Sequence, residues 1–190
     1  MAIVAAGAHA ALDFEEYLER AEAARKRGDW EAVASQYAEA INHRDLPKDA
    51  AVRVEVHREY GRAMGALCQF GEAEKFLMKA RAIAGADAAL DTRTAYELGS
   101  LALATRRFEV AMREFQTFLE APRTPAAVAP PRLMADALEK LARAQEALGK
   151  AEEAARSRER AAPLNGAAAK PLPPGSITPY GLRCASAQGR

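Results

Sequence analysis

Residues 21–45 read AEAARKRGDWEAVASQYAEAINHRD. One helix-forming stretch ends at Arg27, Gly28-Asp29 interrupts it, and a second begins at Trp30. Glycine takes the left-handed conformation that closes a helix, and aspartate caps the free amides of the next one. Beyond the break Trp30, Val33, Ala34, Tyr37, Ala40 and Ile41 recur at three- and four-residue spacing, which puts them on one helix face. The stretch therefore predicts a helical hairpin whose apolar face neither helix can bury alone.

Working outward, the same arrangement returns three more times. A helix over about 10–27 precedes the break, and its partner covers about 30–43. The next pair has its first helix over about 48–67, with Pro47 suited to the first turn, a break at Gln69, and a second helix from Phe70 that stops at Gly85. Asp87 caps the third pair, which breaks at Arg106-Arg107, and the proline-rich loop 121–132 separates it from a fourth pair that breaks at Gly149. The last helix, KAEEAARSRERAAPL, is almost free of large apolar residues and reads as a polar cap, with Ala151, Ala154 and Ala155 facing inward.

Aligned on their breaks, the pairs place Trp30, Phe70, Phe108 and Ala151 in register. The following equivalent sets are Val33, Ala73, Ala111 and Ala154, then Tyr37, Leu77, Phe115 and Arg158, then Ala40, Ala80, Phe118 and Ala161. On the preceding helices Ala21, Gly61, Gly99 and Ala142 coincide. This alternation of large and small residues resembles the tetratricopeptide repeat, although the spacing between equivalent positions exceeds the about 34 residues of the common form. The resemblance implies an all-α fold, a right-handed superhelical array of antiparallel helix pairs. Four repeats, about 11–46, 47–86, 87–124 and 130–162, make one domain over 11–162. A flexible arm, 1–10, precedes it, and a Pro/Gly-rich basic tail, 163–190, expected to be disordered or extended, follows.

Composition limits the function. The 190 residues are 49% hydrophobic and 28% charged, with a net charge of +1, so no overall field draws the chain to nucleic acid or to an anionic membrane. Past Ala161 the charged residues are Lys170, Arg183 and Arg190, which makes the tail basic and the body faintly acidic. The two cysteines, Cys68 and Cys184, build neither a disulfide framework nor a metal site. Cys68 reads as a small packed hydrophobe, Cys184 as an accessible thiol, and a reducing, cytoplasmic setting is expected. The N-terminal residues lack a secretory signal, and no segment has the ~20 apolar residues of a membrane span.

Catalysis finds no footing. His9, His43 and His57 lie in separate segments, and no HExxH, phosphate-binding glycine loop or GxSxG motif occurs, so no catalytic residue, metal or cofactor is expected. The resemblance instead implies a concave groove, lined by the first helix of each pair, that holds a partner's peptide or helix. Carried over by register, its candidate residues are Glu22, Arg58, Arg62, Arg93, Tyr96, Ser100, Glu139 and Arg143. The lysine and asparagine set with which some family members grip a chaperone's C-terminal carboxylate is absent: its places hold Leu18, Glu22, Arg62, Tyr96 and Ser100.

Arg58, Arg62 and Arg93 beside Tyr96 suit carboxylates of a partner with acidic residues, the ring supplying apolar area. Equally, these arginines can pair with Glu55, Glu59 and Glu97 and bind nothing. The tail, around Leu172-Pro173-Pro174 and Ile177-Thr178-Pro179-Tyr180, is either disordered, a short motif recognised elsewhere, or a segment lying in its own or a neighbour's groove near Glu15, Glu22, Asp136 and Glu139. The expected function is a non-enzymatic protein-interaction module. The alternative is a structural subunit that self-associates through repeat edges or its tail.

Overall fold

A computed structural model describes residues 12–122, 129–166, 170–181 and 184. Eight helices follow one another among these residues: α1 (Phe14–Arg27), α2 (Trp30–Asn42), α3 (Ala50–Ala66), α4 (Phe70–Ala84), α5 (Ala88–Ala104), α6 (Phe108–Glu120), α7 (Pro131–Ala147) and α8 (Ala151–Ala161). A short 3₁₀ turn, Ala162–Asn165, ends the array. The expected flexible arm and the centre of the proline-rich loop lie outside the described residues.

Each helix starts and stops for local reasons. Asp13 and Glu16 form a reciprocal capping box at α1, while Asp29, Asp49 and Asp87 cap α2, α3 and α5 through their carboxylates. Pro131 is the first residue of α7, where its missing amide costs nothing. Pro47, expected in the first turn of α3, instead stands two residues before the Asp49 cap, because the aspartate offers the free amides an acceptor and proline does not.

The break inside every pair is one residue in the left-handed region: Gly28 (φ 72°), Cys68 (65°), Arg106 (60°) and Gly149 (75°). The backbone thus repeats where the side chains do not. Helices pack within pairs and then between pairs, α2 on α3, α4 on α5 and α6 on α7, as a helical-repeat array requires.

The registered small positions are where helices meet. Val33, Ala73, Ala111 and Ala154 are all fully buried, as are Ala40, Ala80 and Ala161. A Cβ at Gly61 would lie 2.9 Å from Leu77 Cγ, and one at Gly99 3.0 Å from the Phe115 ring, so glycine permits the close crossing. Leu77 and Phe115 thus fill the crossings inside their own pairs, and Tyr37 is buried on α2. In the fourth pair Ser157, hydrogen-bonded to Gln145, takes the buried place, while Arg158 turns out to Glu146 and both Ala151 and Ala155 face solvent, contrary to their expected inward role; of that set Ala154 alone is buried. The large residues lost from this pair leave α8 a polar outer face.

Candidate functional site

The first helices of successive pairs also touch one another, α3 with α5 and α5 with α7, and form a continuous inner face. Residues 170–181 of the tail lie on it. Leu172 packs with the cluster of α5, α6 and α7. The chain then reverses at Pro173–Ser176, where Ser176 N–H donates to Pro173 O at 3.1 Å and Gly175 has φ 73°. Proline followed by a positive-φ glycine is the sequence such a turn demands. A Cβ on Gly175 would stand 2.7 Å from the carbonyl oxygen of Arg25, so the turn sits directly against the end of α1.

From there the tail returns across α3 and α5. Arg62 donates from Nη2 to Gly175 O at 2.7 Å and from Nε to Thr178 Oγ1 at 2.8 Å. Thr178 Oγ1 donates onward to Glu97 Oε2 at 2.9 Å, and Tyr180 OH donates to the same oxygen at 3.0 Å. The Tyr180 ring lies on Gly65, where a Cβ would fall 2.0 Å from Cε1. A disulfide between Cys68, at the end of α3, and Cys184 closes this path.

The expectation for the cysteines fails here. Cys68 and Cys184 are joined to each other and are neither a packed hydrophobe nor a free thiol. Residues 170–181 lie on the inner face, held there through the Gly175 carbonyl and the Thr178 and Tyr180 side chains. A pairing across 116 residues has no local signature, and helix-periodicity arguments do not register it.

Beneath the tail lies a buried ionic cluster. Arg62 Nη1 meets Glu59 at 2.6 Å and its Nε stands 3.1 Å from Glu97, while Arg58 binds Glu55 and, at 3.1 Å, Glu59. Burial alone would raise the Glu59 carboxyl, but the guanidiniums of Arg62 and Arg58 outweigh it and bring its pKa down to about 2. Burial raises the Tyr180 phenol well above its usual value, and Glu97 adds to the shift, so it remains a donor. The Arg62 guanidinium also stands over the Trp30 ring at 5.8 Å.

The sequence-selected residues do not form one site. Arg58 and Arg62 pair with glutamates of their own and neighbouring helices, and Glu22 holds Arg25 at 2.6 Å. Arg93 lines the same cavity as these residues. Tyr96 is fully buried: its ring packs on Phe115 and Phe118, and its hydroxyl bonds Asp136 and Lys140, so it offers a ligand no apolar area. Ser100 and Arg143 line a second cavity, of about 460 Å³, beside Ile177 and Tyr180 of the tail. Glu139 lies with Arg143 at a third, next to Leu172.

Sequence reasoning missed Gly65 and the function of Glu97. A second glycine four residues after Gly61 within one helix costs about 1 kcal/mol relative to alanine, and that cost was the available signal. Among the described residues no group of histidine, cysteine and carboxylate side chains could hold a metal, and no helix is long and apolar enough to cross a membrane.

No family model matches the sequence, and no curated protein matches it either. Solved structures do. The structure titled "Crystal structure of MamA" superposes with a TM-score of 0.61 at 16% identity over 80% of this chain and 78% of that one. BtubC (BKLC) from P. vanneervenii superposes with a TM-score of 0.69 at 16% identity over 86% of this chain and 69% of that one. At such identity the likeness speaks for the fold alone, and the fold is a tetratricopeptide-like helical-repeat array.

Proposed function

We propose that the chain is a non-enzymatic protein-interaction module whose inner face is a groove for an extended segment. The observation that carries this reading is residues 170–181, an extended segment held there by Arg62, Glu97 and the Gly65 surface. Arg62 donates to a main-chain carbonyl, which any sequence supplies, whereas the Thr178 and Tyr180 hydroxyls and the Pro-Gly turn add sequence preference. The helical-repeat fold it shares with MamA and BtubC fits the same role. An adaptor of this kind needs no cofactor.

The same observation supports a second reading. A tail that fits its own groove also fits the groove of another copy, so the chain can self-associate by exchanging residues 170–181.

The test uses the full chain carrying Cys184→Ser and Tyr180→Ala, which unties its tail and weakens its seat. A fluorescent peptide of sequence KPLPPGSITPYG should bind saturably, and the same peptide with Thr178→Ala and Tyr180→Ala should not. Equal binding of both peptides, or binding of neither, would remove the groove reading. Light scattering on the unmutated chain decides the second: dimers that become monomers in Tyr180→Ala support tail exchange, and monomers throughout exclude it.

A further inference from the structure

The turn Pro173–Ser176 roofs a cavity of about 140 Å³ between α1, α3 and α5. Four arginines, Arg25, Arg58, Arg62 and Arg93, line it with three glutamates, Glu22, Glu55 and Glu59, and with Ser176 of the tail. Three have carboxylate partners: Arg25 takes Glu22 at 2.6 Å, Arg58 takes Glu55 and Glu59, and Arg62 takes Glu59 at 2.6 Å and Glu97 at 3.1 Å. Arg93 makes no hydrogen bond and no ion pair among the described residues.

Its setting favours an added negative charge. Burial depresses the Arg93 pKa, the nearby positive charge of Arg58 and Arg62 adds to the effect, and Glu97 and Glu59, already engaged, offset it only in part. Arg93 is half-buried and has no protein acceptor among the described residues, so a carboxylate brought into the cavity gains a charge-assisted partner there. The tail puts a neutral serine at this place. The cavity holds the volume of about four waters, enough for the longer side chain of an acidic residue.

We infer that the groove is built for a segment of a partner protein that carries a glutamate or aspartate where the tail has Ser176, with Arg93 as its counter-ion. This rests on the groove reading given above. The chain's own tail brings no carboxylate to Arg93, so once the Cys68–Cys184 tether is opened a matching acidic segment is the tighter occupant. The acidic residue is internal to the segment, two positions before the residue in the Thr178 place, and the recognition does not use a chain end.

The experiment measures three peptides on the Cys184→Ser, Tyr180→Ala chain: KPLPPGSITPYG, its Ser176→Glu form, and its Ser176→Gln form as the neutral isostere. The acidic peptide should bind at least ten-fold more tightly than either neutral one, and Arg93→Gln in the protein should erase the difference. Equal affinities for all three overturn the inference while leaving the groove reading in place; failure of every peptide removes the groove reading instead.

A measurement in the intact chain decides Arg93 independently of any added peptide. Ser176→Glu should raise the unfolding midpoint above that of Ser176→Gln when Arg93 is present and should not do so with Arg93→Gln. No coupling between the two positions would overturn the proposal. Arg93→Gln removes an unpaired charge, so the double variant keeps its fold, which circular dichroism checks.

Discussion

Cys68 carries two demands at one position. It is the left-handed residue between α3 and α4, and it holds the tail through Cys184. A non-glycine residue in that conformation costs roughly 1 kcal/mol, which glycine avoids at the equivalent Gly28 and Gly149. Arg106 bears the same cost with an exposed side chain and no disulfide to justify it. Arg106→Gly should therefore stabilise the chain by about 0.5 kcal/mol, and Gly149→Ala should destabilise it by about 1 kcal/mol, both read from urea midpoints.

Glu59 sets the acid limit. Its folded pKa, about 2, lies below the usual 4.5, so its contribution to stability is complete above that usual value and is lost as pH falls through the folded one. Unfolding midpoints should drop steeply between about pH 4.5 and pH 2, and Glu59→Gln should flatten that slope.

At the scale of the element, each helix is held by its small face and its filled gaps more than by its own propensity. Ala73 and Phe115 are fully buried, one where α4 meets α3 and the other where α6 meets α5. Ala73→Arg forces a charge into a site already in contact, and Phe115→Asp opens a cavity around a buried carboxylate. Both should abolish the cooperative melt observed by circular dichroism; a soluble variant with an unchanged midpoint would contradict the register of the repeats. Gly65 belongs to a different surface. Gly65→Ala presses on the Tyr180 ring without crowding a neighbouring helix, so it should release the tail and spare the array. Hydrogen exchange at residues 175–181 should rise at least ten-fold while the helices keep their protection.

At the scale of the molecule, the disulfide closes the largest loop and fastens the tail to the array. Cys184→Ser should lower stability by about 2–4 kcal/mol in the two-state unfolding of the oxidised protein, because the unfolded chain regains the entropy of that loop. Adding a reductant to the unmutated chain should reproduce the loss and should leave Cys184→Ser unchanged. The array itself is joined end to end, pair on pair, with α8 presenting a polar outer face and Arg81 tying Asp91 and Glu114 together across α4, α5 and α6.

The sequence by itself determined the helices, their four breaks and the small and large positions where pairs meet, because capping and helical periodicity act over a few residues and leave a local record. It also singled out Arg58, Arg62 and Arg93. Only the tertiary structure decided that Glu55, Glu59 and Glu97 occupy the first two of these arginines while Arg93 has no such partner among the described residues, that Tyr96 turns into the core, and that residues 170–181 cross the inner face to Cys68. Those outcomes depend on which side chains of α1, α3 and α5 arrive together around a segment far away in sequence, 81 residues from Glu97 to Thr178 and 116 from Arg62 to Thr178, and no period in the sequence encodes that meeting.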